Sequence, residues 1–165
     1  MIYFDNDKKA YGFKIQGYIC SIPDEQWEEY AGTDKWDIIN GVFTDITDTP
    51  EYQQEQADKR EADFKSKFFN IEGFGWYRKQ PKGYQSAIES LNTAFNRFDV
   101  MQKMGVQQFP ANVFIFYAQP DFTKPEECTE EWLVEHQTKN EAMTVQEFGN
   151  FYATFTDAWN TEEHE

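Results

Sequence analysis

Apolar positions are patterned differently toward the two ends of this chain, and a long polar stretch separates the two patterns. Residues 2–4 (Ile-Tyr-Phe) and 11–22 read as strands. In the second run Phe13 and Ile15 alternate with Lys14 and Gln16, the period of a half-buried strand. Asp5-Asn6-Asp7-Lys8 between them is turn chemistry. Pro23-Asp24-Glu25 opens a short helix over 24–30 that puts Trp27 and Tyr30 on one side, and Gly32 can end it. Asn40-Gly41 then sits between the apolar runs 36–39 and 42–46. This is a strong hairpin signal, because a type I′ turn needs positive φ at both central residues. Residues 1–48 are therefore expected to form a small antiparallel β module of about four short strands, near the lower size limit for independent folding.

The polar stretch, residues 49–69, predicts one helix. Thr49 is a good N-cap, Pro50 suits the first helical position, and Glu51 complements the positive end of the helix dipole. Its apolar residues are sparse (Tyr52, Ala57, Phe64, Phe68, Phe69) and keep no a/d heptad, so a connecting helix is expected rather than a coiled coil. Beyond it, Tyr84, Ile88, Leu91, Phe95 and Phe98 trace a 3.6-period stripe along a helix over about 84–104, closed by Gly105. Residues 113–117 are a continuous apolar run between Pro110 and Pro120, which suits a buried strand. A helix from 126 or 129 to 137 carries Trp132, Leu133 and His136 on its apolar face. Thr144-Val-Gln-Glu147 is a capping box that opens a helix with the stripe Phe148, Phe151, Tyr152, Phe155 and Trp159. The expected class is α+β: an N-terminal antiparallel β module (1–48), a connecting helix (49–69), and a helix-rich aromatic domain (70–165) with one or two strands.

Composition adds that the core is aromatic: 18% of residues are Phe, Trp or Tyr, unlike a disordered acidic tail. The net charge of −15 is unevenly spread. Residues 1–64 carry 15 acids and 6 bases, 65–105 carry 3 and 7, and 106–165 carry 12 and 2. A basic centre between acidic ends suggests either internal charge compensation or acidic surfaces that face a basic partner. No apolar run approaches the roughly 20 residues of a membrane span. Asp5 and Asp7 interrupt the N-terminus without a following apolar segment, so no secretory signal is expected either.

Few groups offer chemistry. Cys20 and Cys128 are isolated and read as small buried hydrophobes. His136 and His164 fall in no metal-binding spacing. Gly73-Phe74-Gly75 lacks the third glycine and the Lys-Ser/Thr of a phosphate loop. The paired acids sit at helix starts, where dipole complementarity accounts for them. No catalytic, cofactor-binding or metal-ligating residue is assigned. Two patches remain as protein-binding candidates: the aromatic-basic Trp76, Tyr77 and Arg78, and the acids Glu126, Glu127, Glu130 and Glu131. Stacking and basic groups in the first have the composition of a nucleic-acid platform, but the overall negative charge opposes an approaching polyanion. Contact with an acidic surface, including the chain's own acidic ends, is the better expectation.

The segments DEQWEEY, WDIINGVFTDIT, TDTPEYQQEQADKREADF and FFNIEGFGWYRK, taken in that order after a short β-rich start, resemble the opening of small proteins encoded in bacteriophage and prophage tail modules, near tail-fibre and fibre-assembly genes. The resemblance covers about residues 1–80. It implies a non-enzymatic protein of the tail region, a structural component or fibre-assembly factor, with no cofactor and no active site. Its partner would be another protein such as a tail or fibre component, with homo-oligomerisation possible, no membrane, and a location in the host bacterial cytoplasm or the virion. The alternative raised by the acids at 24–29 and 126–131 is an inhibitor that imitates nucleic acid in the basic cleft of a host defence enzyme.

Overall fold

The computed structural model describes residues 1–79, 86–106, 108–109, 114–139 and 143–162. It is α+β, and divides into two compact units, Met1–Ala57 and Asp58–Glu165. The boundary falls inside the predicted polar helix, which forms as α2 (Pro50–Lys67). The Thr49 hydroxyl accepts the Tyr52 amide at 3.3 Å, as an N-cap should.

In the first unit, β1 (Ile2–Phe4) lies between β2 (Ala10–Tyr11) and β3 (Cys20–Ile22), antiparallel to both. The long strand expected over 11–22 is interrupted. Gly12 leaves β2, and Gly17 takes a left-handed φ of 74°, so residues 12–19 form a loop. Helix α1 (Asp24–Tyr30) follows. Strands β4 (Trp36–Ile39) and β5 (Val42–Asp45) form the expected hairpin, with Asn40 at φ 54°, Gly41 at 79°, and Ile39 paired with Val42. The unit thus has five short strands, one more than expected. Its core centres on Phe4, fully buried, whose ring meets Trp27, Trp36 and Phe43 at 5.3–5.6 Å between centroids.

The second unit holds more strand than expected. Its four-stranded antiparallel sheet has the order β10 (Gln137–Lys139), β9 (Ile115–Tyr117), β7 (Gly75–Arg78), β6 (Phe68–Ile71). A second pair joins β8 (Gln108–Phe109) to β11 (Met143–Thr144). Phe68 and Phe69, expected to end the long helix, instead start β6, because strand alternation lets each bury on an opposite face of the sheet. Phe69, Ile71, Phe114 and Phe116 join one core with α3 (Ser86–Lys103) and α5 (Val145–Thr161). Phe68 joins the other core with Phe64 and Leu133, and with the half-buried Trp76, Tyr117, Phe122 and Trp132. The glycines judged unsuited to phosphate make the β6–β7 turn. Gly75, at φ 122°, passes so close to β9 that an added Cβ would lie 3.2 Å from the Tyr117 carbonyl oxygen.

Both long C-terminal helices follow their sequence signals. Helix α3 ends with Gly105 at φ 86° and amide bonds from Gly105 to Gln102 and Val106 to Met101, a Schellman closure. Leu91 and Phe98 are buried, Phe95 is exposed but tilts against Tyr152 at 4.7 Å, and Tyr84 lies outside the described residues. The Thr144–Glu147 capping box forms in both directions, and Phe148, Phe151, Phe155 and Trp159 are buried. The expected helix before it splits at Thr129 into a 3₁₀ turn, Pro125–Cys128, and α4 (Glu130–Glu135). Phe155 touches Tyr77, Phe114, Phe151 and Trp159. Phe155→Ala should therefore cost about 3–5 kcal/mol by loss of transfer energy and cavity formation, read as a lower denaturant midpoint for the second unit.

Candidate functional site

The aromatic-basic patch does not survive as one surface. Trp76, Tyr77 and Arg78 are consecutive in β7, so their side chains alternate between sheet faces. Tyr77 turns into the larger core, with ring contacts to Phe69, Phe114, Phe116 and Phe155. Trp76 and Arg78 emerge on the opposite face. There the Arg78 guanidinium lies 4.8 Å from the Phe68 ring centre and 5.4 Å from that of Tyr117, and it pairs with Glu130. Lys79, largely covered, bonds Glu162 at 3.1 Å. Arg78 and Lys79 of the basic centre are thus engaged with acids of the same unit, the internal compensation that the charge pattern allowed.

The acidic candidates divide in the same way. Glu127 accepts the Asp121 amide at 3.0 Å and the Lys124 ammonium at 2.8 Å. The Lys124 bond, then the Asp121 bond, hold its carboxyl below the usual range. Glu130 is taken by Arg78, while Glu126 and Glu131 are exposed. His136 stacks on Trp132 at 4.0 Å and is exposed rather than packed in the core. His164 lies outside the described residues. Cys20 and Cys128 are free and half-buried, which raises both thiol pKa values. Among the described residues no cluster of three His, Cys, Asp or Glu side chains is placed to hold a metal ion. No described helix is long and apolar enough to cross a membrane.

A different surface stands out in the first unit, one that the sequence reading passed over. In β2-β1-β3, Ile2, Phe4, Ala10, Cys20 and Ile22 occupy one side. The other side should be polar if it faced only water. It carries Tyr3 paired with Tyr11, and two loop aromatics extend it: Tyr18 packs edge-on to Tyr3 at 5.0 Å, and Phe13 lies 6.0 Å from Tyr11. Phe13 is 68% exposed and Tyr18 is 38% exposed. The face is held in shape by Asp5, whose carboxylate accepts the amides of Lys9 and Asp7 at 2.9 Å and the Tyr11 hydroxyl at 2.9 Å. The Lys9 amide contributes most to lowering the Asp5 pKa, and the Asp5 bond raises that of Tyr11. The signal was present in the sequence as Tyr3, Tyr11, Phe13 and Tyr18. What hid it was the assumption of one unbroken strand, which assigns Phe13 to a buried side.

Two measurements check this geometry. Tyr30 donates its hydroxyl to Asp45 at 2.7 Å, and this bond is the main cause that pushes its pKa up to about 12. Because the folded pKa is raised, the bond's contribution to stability is complete below about pH 10, the unfolded value, and is lost as pH rises toward about 12. Ultraviolet titration should show a late-ionising tyrosine that Tyr30→Phe removes and Asp45→Asn shifts down. At the other site, Arg78→Met should cost about 1 kcal/mol, since an exposed ion pair and cation–π contact are each worth little. Tyr77→Ala should cost about 3 kcal/mol as an aromatic removed from a core. Urea unfolding of both variants separates a strand-face cation from a core ring.

No protein-family model, no curated protein and no solved structure matches this chain.

Proposed function

We propose that this chain is a non-enzymatic protein-binding protein of a bacteriophage tail region, a structural component or fibre-assembly factor that works in the host cytoplasm or in the assembled particle. The observation that carries the protein-binding part is the aromatic outer face of β2-β1-β3. Tyrosine and phenylalanine give large, rigid contact area at low entropic cost, and are enriched where proteins meet. This face also falls within residues 1–80, the stretch whose order of motifs resembles small tail-module proteins. The binding surface suggested by Trp76, Tyr77 and Arg78 is replaced by this one, since Tyr77 is occupied in a core and Arg78 by Glu130.

A nucleic-acid-mimicking inhibitor is less well supported. A mimic must present unpaired carboxylates to a basic cleft, and Glu127 and Glu130 of the 126–131 cluster and Asp24 of the 24–29 cluster are already paired, with Lys124, Arg78 and the N-terminal amine. Affinity capture from phage-infected cells distinguishes the two. Wild-type protein should recover tail or fibre proteins, and Phe13→Ser, which touches an exposed residue, should lose them. Recovery of a host nucleic-acid enzyme that dissociates at high salt would reject the tail reading in favour of the inhibitor.

A further inference from the structure

The aromatic face needs an occupant, and the distribution of charge around it selects one. We infer that the face is covered by a second copy of this chain, joined face to face about a two-fold axis. The inference rests on the protein-binding reading of this face and names what binds there.

Two copies of a chain with net charge −15 repel wherever acidic surfaces meet. They can approach only where local charge is small. Residues 1–23, which build the sheet and its loops, carry three bases and two acids, whereas residues 24–57 carry one base and ten acids. The aromatic face therefore lies in the part of its unit that is nearly neutral. It also carries both signs. Asp5 continues the β1 row beside Tyr3, Lys9 precedes β2, and the Lys14 ammonium lies 5.6 Å from the Tyr18 ring centre. A two-fold interface requires a patch that complements itself, and a face that bears aromatics with both charges meets that condition. A strongly basic partner would be drawn instead to the acids of α1 and the following segments.

Other exposed apolar side chains among the described residues include Ile39 and Val42 at the β4–β5 turn, Phe95 and Val100 on α3, Met104 just past its end, and Val134 on α4. Val100 and Met104, at 56% and 78% exposure, are aliphatic and flexible, and scattered exposed side chains of this kind are ordinary. They supply the control.

Sedimentation velocity of the purified full chain over a concentration series tests the inference. The expected result is a reversible shift from the 19.6 kDa monomer to twice that mass. Added salt should strengthen it, because screening weakens the repulsion between acidic copies. Phe13→Ser and Tyr18→Ser should each raise the dissociation constant about tenfold or more, as expected for an anchor lost from both halves of the interface. Met104→Gln should leave it unchanged, and circular dichroism should report the same fold for all variants. A wild-type chain that stays monomeric at every concentration and salt overturns the inference, as does a dimer that Met104→Gln weakens and Phe13→Ser does not. If the chain is monomeric but still captures tail proteins through Phe13, the second-copy inference fails while the proposed function stands. If Phe13→Ser alters neither mass nor capture, both fail.

Discussion

Strand alternation in a sheet that is covered on both faces is the constraint on which the second unit depends. Once β6 pairs with β7 in the register Phe68–Arg78 and Phe69–Tyr77, the destination of every ring is settled. Phe69 and Tyr77 must enter the core under α3 and α5, and Phe68 and Trp76 must enter the one built with Phe64, Phe122 and Leu133. A slip of one residue would exchange the two sets and put Arg78 into the larger core. Gly75 favours the same arrangement from the other side, since it brings the start of β7 close to β9 at a positive φ where a side chain would be strained and would crowd the Tyr117 carbonyl. The aromatic composition follows from this geometry: two thin cores built from few elements are filled most economically by large flat groups that pack edge to face.

Charge is organised around the same sheet. Arg78, the last residue of the inner strand β7, and Lys79 just beyond it meet Glu130 and Glu162, so these two bases pair with acids far along the chain. Along the helices Lys65, Lys67 and Lys103 pair with acids one turn earlier, at Glu61, Asp63 and Asp99, the favourable orientation for such pairs. Each exposed pair contributes little to stability. Their joint effect is on the field the unit presents: the paired cations are poorer attractors of a polyanion, and the exposed remainder of the 126–131 acids is a weaker lure for a basic cleft than the sequence implies.

Much of this was legible from the sequence, and the failures have physical causes. Asn40-Gly41, the Thr144–Glu147 box and Gly105 match the structure, because each signal is local and demands a backbone or cap geometry available to few residues; the stripe of α5, and Ile88, Leu91 and Phe98 of that on α3, match because helical period alone sets which side faces the core. Phe68-Phe69 was misassigned because two adjacent apolar residues at the end of a polar helix fit a last helical turn as well as a first strand residue, and only pairing with β7 decides between them. Strand β10, Gln-Thr-Lys, has no apolar pattern at all. It exists because β9 offers it an edge, and polar edge strands of this kind are how sheets avoid further pairing. The candidate patch at Trp76-Tyr77-Arg78 is divided between two faces for a related reason: neighbours in sequence are opposites in a strand.

The aromatic face of the first unit is the converse case, in which residues distant in sequence become neighbours. Tyr3, Tyr11, Phe13 and Tyr18 come together only because β1 pairs with β2 and the loop after Gly12 returns to β1 through Tyr18. Such a face has a thermodynamic consequence. A unit of this size buries a small fraction of its surface and has little stability in reserve, here concentrated in the rings around Phe4. Leaving four aromatics outside that core forgoes stabilisation that the same side chains would supply if covered. Any protein that binds this face adds to the stability of the folded unit in proportion to its free concentration. The outward placement is therefore costly to the isolated unit and favourable to any assembly that covers the face.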